Sequence, residues 1–193
     1  LIVCGHSKGG NLAVYASVCC DDNIRQRIRR IYNFDGPGFW EEFLADERYK
    51  ETIPKIRKYV APESFIGLLL KDEATTFMVE CKSKGMQQHD PYQWEMFRGR
   101  LRKVSKYNVK RRQSGEGLNT RILAAPKEKC RAVIDGFFDA AADSGVQKLP
   151  ELNKEYTLEV LRRFRGNCKY DRESLIVFAR LMLYMLPGRK ILR

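Results

Sequence analysis

The strongest constraint on the fold lies in residues 1–20, where a short apolar run meets a serine between two glycines. Leu1 to Cys4 are apolar and suited to a strand, and Leu12 to Cys20 are mostly small or apolar and suit a helix. Between them stands the motif Gly5-His6-Ser7-Lys8-Gly9. The pattern predicts a strand, a sharp turn with Ser7 at its apex, and a helix. We expect glycine at positions 5 and 9 because a Cβ there would collide with the neighbouring strand or helix.

Strand, G-x-S-x-G turn and helix together form a nucleophile elbow, the turn that presents the serine in α/β-hydrolases. The helix that follows points its amide end at a reacting carbonyl, so the Lys8 N–H is the expected oxyanion donor. A second donor would come from a loop after an earlier strand, upstream of Leu1. The alternative is an ordinary glycine-rich turn between a strand and a helix.

Further strands are predicted at Ile31–Phe34, Ile56–Val60 and Thr75–Cys81, with a short basic connector over Ile24–Arg30 and a surface helix over Trp40–Lys50. Strand, helix and strand within a short span make a βαβ unit, so the strands should be parallel. The expected fold class is α/β, with residues 1–97 as the C-terminal half of an α/β-hydrolase domain. Because such a domain needs strands before its nucleophile, we expect the chain to continue a longer protein.

The second half of the chain, residues 98–193, carries the whole positive charge. Residues 1–97 hold 13 basic and 14 acidic residues, whereas residues 98–193 hold 23 and 10. Eight basic residues and no acid lie between Arg98 and Arg112. Helices are predicted over Lys127–Ala142, Leu158–Phe164 and Arg172–Leu186. We therefore expect a basic segment followed by a helical region, separate from the first domain.

A serine nucleophile needs a base, and the chain has only two histidines. His6 is adjacent to Ser7 and its ring cannot turn back to the Ser7 Oγ, so His89, in the loop after the last predicted strand, is the candidate base. The acid is open between Asp35 and Glu63, which follow neighbouring strands at the same rim. Asp35 is favoured, although Asp35-Gly36-Pro37-Gly38 is also a plain turn sequence.

The six cysteines show no C-x-x-C pair and no Cys/His spacing typical of a metal site. We expect buried free thiols in a reducing cytoplasm, and no metal or cofactor. No run of about 18 apolar residues occurs, so no membrane span is predicted.

The chain resembles the bacterial Mbeg-like family, a domain-of-unknown-function group of lipase-like α/β-hydrolases. The resemblance rests on the segments Gly5–Ala13, Asn33–Phe39 and Gln88–Pro91, is firm over residues 1–97, and is weaker through residues 127–152. It implies a hydrolase fold with Ser7 and His89 at the family's serine and histidine positions. It does not supply a substrate, and it leaves the acid open between Asp35 and Glu63.

Two functions follow as expectations. The first is a serine esterase or lipase that cleaves a small acyl ester, thioester or lipid through an acyl-serine intermediate. The alternative is a catalytically degenerate hydrolase fold that binds an anionic partner through its basic half. Between the possible anions, a membrane surface is favoured over nucleic acid, because Tyr107 is the only aromatic residue between Arg98 and Arg112 and no nucleic-acid motif is present.

Overall fold

The computed structural model describes residues 1–104, 117, 119–145, 159–160 and 162–164. The chain divides into two compact units, Leu1–Asn119 and Thr120–Arg193. Most of the predicted basic segment, from residue 105 to 112, lies outside the described residues, as does the predicted helix Arg172–Leu186.

The first unit is built on a four-stranded parallel sheet in which each strand pairs with the next one in the chain. The strands are β1 (Ile2–His6), β2 (Arg30–Phe34), β3 (Ile56–Val60) and β4 (Thr75–Met78). The crossovers contain the helices α1 (Lys8–Cys19), α2 (Asp22–Arg27), α3 (Glu41–Leu44) and α4 (Glu47–Thr52). The predicted α/β class and the parallel strand direction are confirmed.

Three local predictions differ from the structure. The single helix expected over Trp40–Lys50 is divided into α3 and α4, because the Asp46 carboxylate caps α4 by accepting the Arg48 N–H at 2.9 Å. The segment Ile24–Arg30, expected as a connector, is helical as far as Arg27, as part of α2. The last strand ends at Met78, three residues early, and beyond it Val79 and Cys81 form isolated antiparallel bridges with Lys103 and Trp94.

Alternate residues of the strands point to opposite faces of the sheet, and each face has its own core. On one face, Ile31 and Ile56 pack with Val14 and Val18 of α1 and with Tyr49 of α4. The other face carries Phe34 and Tyr59, which pack against a cluster of Ala61, Val79 and Trp94. Trp94 of this cluster donates its indole N–H to the Gln88 carbonyl, so the second face contacts the segment that carries His89.

The five described cysteines have free thiols, but the prediction that they are buried is wrong. Cys4 and Cys19 are exposed, and Cys20, Cys81 and Cys130 are only partly buried. Cys4 shares a sheet face with Ile2, and the described residues leave that face uncovered at β1. Cys168 lies outside the described residues, and the cytoplasmic location stays a prediction.

In the second unit, α5 (Lys127–Asp143) confirms the helix predicted over Lys127–Ala142. Residues 159–160 and 162–164 are helical, within the predicted helix Leu158–Phe164. No helix in the described parts of the chain combines the length and apolar character needed to cross a bilayer.

Candidate active site

Ser7 forms the apex of a tight turn between β1 and α1. Its backbone has φ 57° and ψ −129°, a conformation that is costly for any residue with a side chain. The Ser7 N–H donates to the Phe34 carbonyl at 2.9 Å, and the Ser7 carbonyl accepts the Gly10 N–H at 2.9 Å. These bonds hold the strained residue between the sheet and the helix, and the sharp turn predicted here is present.

Of the two positions at which glycine was expected to be required by close packing, Gly5 is tightly packed and Gly9 is not. A Cβ on Gly5 would lie 2.1 Å from the Gly9 carbonyl oxygen, as predicted. A Cβ on Gly9 would meet nothing within 4 Å, so the prediction of a collision there is wrong: Gly9 is on the exposed side of the first helical turn. The second tight contact is at Gly10, whose Cβ would lie 2.3 Å from Asn33 Oδ1.

A hydrogen-bonded chain joins Ser7, His89 and Asp35. His89 Nε2 lies 2.8 Å from Ser7 Oγ, and His89 Nδ1 lies 2.7 Å from Asp35 Oδ2. Because a carboxylate only accepts, Nδ1 carries the proton of the neutral ring and Nε2 is left to accept the serine hydroxyl. The three residues are 28 and 54 positions apart in sequence, and the strand ends bring two of them to one rim.

Asp35 directly follows β2 and is fully buried. Its φ is 53°, and its N–H donates to the Tyr59 carbonyl at 2.7 Å, which continues the ladder between β2 and β3. The Ser64 hydroxyl donates to Asp35 Oδ2, the same oxygen that accepts from His89. Asp35 Oδ1 has no hydrogen-bond partner among the described residues and faces the backbone of Gly67, where a Cβ would lie only 2.1 Å away. The site thus holds a carboxylate shielded from solvent with one oxygen directed at the imidazole.

Glu63, the other candidate acid, lies in the loop after β3. Its backbone N–H donates to Gln88 Oε1 at 2.8 Å. The carboxylate that bonds His89 Nδ1 is that of Asp35, so the geometry distinguishes the two candidates that the sequence left open.

The His6 ring contacts the backbone of His89, the candidate base. The His6 Nε2 lies 2.7 Å from the His89 carbonyl oxygen, and the two ring centroids are 4.7 Å apart. Since a carbonyl only accepts, His6 Nε2 carries a proton. His6, expected only as part of the turn, therefore fixes the backbone of His89.

His89 lies in a 3₁₀ turn, Gly85–His89, which is held by hydrogen bonds from the side chains of Gln88 and Trp94. Gln88 is buried, and its amide donates to the Ser83 carbonyl at 2.9 Å while its Oε1 accepts from Glu63. The Trp94 indole donates to the Gln88 carbonyl at 2.8 Å from a buried position. These supports were not foreseen, and the only sequence signal for them is their nearness to His89.

Lys8 is the first residue of α1, where helix N–H groups have no intrahelical acceptor. Its N–H lies at the residue after Ser7, the position from which elbow turns supply an oxyanion donor. Within the part of the chain that the structure describes, no group of three or more His, Cys, Asp or Glu side chains is placed to hold a metal ion.

Comparison with known proteins gives one match. The family model described as Mbeg1-like matches residues 1–139, a span that includes Ser7, Asp35, His89 and the complete parallel sheet. No curated protein matches the chain. No solved structure matches it either.

Proposed function

The chain belongs to the Mbeg1-like family, and from that premise we propose that it is a serine hydrolase with a lipase-like α/β-hydrolase fold. It cleaves a small acyl ester, a thioester or a lipid ester through an acyl-serine intermediate. The observation that carries this proposal is the continuous chain of hydrogen bonds from Ser7 Oγ through His89 to the buried carboxylate of Asp35.

In the first step, Ser7 Oγ attacks the acyl carbonyl carbon while its proton passes to His89 Nε2. The carbonyl π electrons move onto oxygen, where the Lys8 N–H stabilises the negative charge. Asp35 keeps its bond to Nδ1–H and stabilises the imidazolium. The intermediate then collapses: the bond to the leaving group breaks, and His89 returns the proton to the departing alcohol or thiol.

In the second step, water replaces the leaving group. His89 Nε2 takes a proton from the water as its oxygen bonds the acyl carbon, and a second oxyanion forms. Collapse breaks the bond between Ser7 Oγ and the acyl carbon, and the proton on His89 returns to Oγ. The enzyme is regenerated with no redox change.

The alternative, a degenerate fold that only binds an anion, has the charge of residues 98–193 in its favour. A degenerate site is free to lose its catalytic residues, whereas here a serine, a histidine and a carboxylate lie in mutual hydrogen-bond contact, around a serine held in a costly backbone conformation. That combination favours catalysis.

A fluorophosphonate probe tests the proposal, because it labels serines activated by a base and an oxyanion site. We expect labelling at Ser7, loss of labelling in Ser7→Ala, and near loss in His89→Ala. Asp35→Asn should lower turnover of a short acyl ester by about four orders of magnitude, as loss of the acid does in serine proteases.

Glu63→Gln is the matched control, since it neutralises the other candidate acid at the same rim. It should leave turnover within a few-fold of the unchanged chain. Equal labelling of the unchanged chain and His89→Ala would overturn the proposed mechanism, and equal losses in the two acid variants would overturn the role of Asp35.

A further inference from the structure

A short hairpin follows the His89 loop in the first unit. Its strands are β5 (Met96–Phe97) and β6 (Arg100–Leu101), joined at Arg98 and Gly99, which have φ values of 49° and 72°. Positive φ at both central positions matches the twist of tight hairpins. At its base, the Glu95 N–H donates to the Glu80 carbonyl at 2.8 Å, so the backbone position of the hairpin is well defined.

The hairpin exposes large apolar side chains on both of its faces. Met96 and Phe97 are 65% and 64% exposed, and as consecutive strand residues they point in opposite directions. Tyr92, just before the hairpin, is 94% exposed. Three large exposed apolar or aromatic side chains within residues 92–97, on a well-defined backbone, indicate an interaction site.

Positive charge surrounds this apolar tip. Arg98 and Arg100 are exposed, and neither has a carboxylate partner among the described residues. Arg102, nearer the base, is bound by Glu80 at 2.9 Å and Glu95 at 3.5 Å. Among the described residues of the hairpin, the arginines without a carboxylate partner are thus the two at its tip, beside Met96 and Phe97.

We propose that this hairpin, residues 96–101, is an anchor that docks on an anionic membrane surface. Aromatic and apolar side chains enter the boundary between headgroups and acyl chains, while arginines bind the anionic headgroups; the tip carries both in adjacent positions. A second copy of the chain is a less suitable partner, because contact between two such tips would bring Arg98 and Arg100 against like charges. Nucleic acid would use the charge but leave Met96 without a partner.

The anchor follows the segment that carries His89 by a few residues in the sequence. Trp94, two residues before β5, donates to the backbone of the His89 segment and packs beside Phe34 at the end of β2. If the proposed hydrolase activity holds, on which this step rests, docking presents Ser7 to esters held at the membrane surface. The substrate class is then an ester lipid of an anionic membrane.

Co-sedimentation with vesicles tests the anchor independently of catalysis, using the full chain with Ser7→Ala. Vesicles of phosphatidylcholine are compared with vesicles of phosphatidylcholine and phosphatidylglycerol. We expect binding to the anionic vesicles that weakens with salt. Arg98→Gln with Arg100→Gln should reduce partitioning about 30-fold, at about fivefold per arginine. Met96→Ser with Phe97→Ser should reduce it about tenfold or more.

The matched controls are Arg27→Gln with Arg29→Gln, which remove two exposed charges elsewhere, and Ile134→Ser, which removes an apolar side chain that is 53% exposed. They should bind vesicles like the parent. With Ser7 restored, the hairpin variants should hydrolyse a soluble ester normally, so failure of docking and failure of catalysis are read separately.

Three results would overturn the anchor: equal binding by hairpin and control variants, binding of a single-stranded DNA oligonucleotide without vesicle binding, and self-association that the Met96 and Phe97 substitutions abolish without vesicle binding. The second would favour a nucleic-acid site, and the third an interface between two copies.

Discussion

Replacing His6 by Phe tests whether this residue positions His89, the proposed base. The substitution keeps an aromatic ring of similar size beside His89 but removes the Nε2–H that donates to the His89 carbonyl at 2.7 Å. The two rings, 4.7 Å apart, can still pack. The only intended loss is one hydrogen bond.

The expected effect follows from the strength of that bond. The bond joins partly buried groups, and a neutral hydrogen bond of this kind contributes about 1 kcal/mol net. That free energy corresponds to about a fivefold change in the population of the conformation in which His89 is correctly placed. We expect kcat/KM for a short ester to fall about fivefold in His6→Phe. That is far less than the loss expected for Asp35→Asn, because the proposed mechanism gives His6 no part in proton transfer.

The assay combines ester hydrolysis, the rate of fluorophosphonate labelling and thermal melting. The labelling rate should fall by the same factor as kcat/KM, with kcat affected more than KM, because the base and not the substrate is displaced. His6→Gln, which retains a donor, should recover part of the loss. An unchanged kcat/KM would refute the positioning role. A thousandfold loss would refute it too, because an effect of that size would indicate that His6 takes part in the chemistry.

Two further predictions concern stability, measured by denaturant unfolding. Gly5→Ala should lower the free energy of unfolding by about 1–3 kcal/mol or more, because the added Cβ would meet a backbone oxygen. Gly9→Ala should be neutral or stabilising, since helix propensity favours alanine by about 1 kcal/mol. Equal effects of the two substitutions would contradict the packing described. Lys58→Met should lower the free energy of unfolding by about 3–5 kcal/mol, because it leaves the partly buried Asp72 without its partner at 2.8 Å. Adding Asp72→Leu should restore much of that stability, a result that simple loss of packing would not give.

The sequence was sufficient for the features that depend on local chemistry. The turn at Ser7 and the strand Ile56–Val60 follow from short patterns of apolar and glycine residues, and the structure has them as expected. The histidine was found by elimination, because the chain has only two. None of these inferences required a contact between distant residues.

The acid remained open because its choice depends on such contacts. Asp35 and Glu63 both follow parallel strands, and only the folded backbone shows that Asp35 meets Nδ1 of a residue 54 positions away. The hydroxyl of Ser64 and the indole of Trp94 support the site from equally unpredictable positions. The error at Gly9 has the same origin, since which side of a helical turn faces the sheet depends on how the helix docks.

The order of the strands has a consequence for how the chain folds. Each strand pairs with its successor, and the site needs the ends of β1 and β2 together with a loop that follows β4. Parallel pairing requires a long chain closure at every step, which makes such sheets slow to form. Ser7 and Asp35 can come together once β1 and β2 have paired, but His89 reaches them only after β4 has been added. If the proposed hydrolase activity is present, its recovery during refolding should therefore report the last closure of the sheet and not its nucleation.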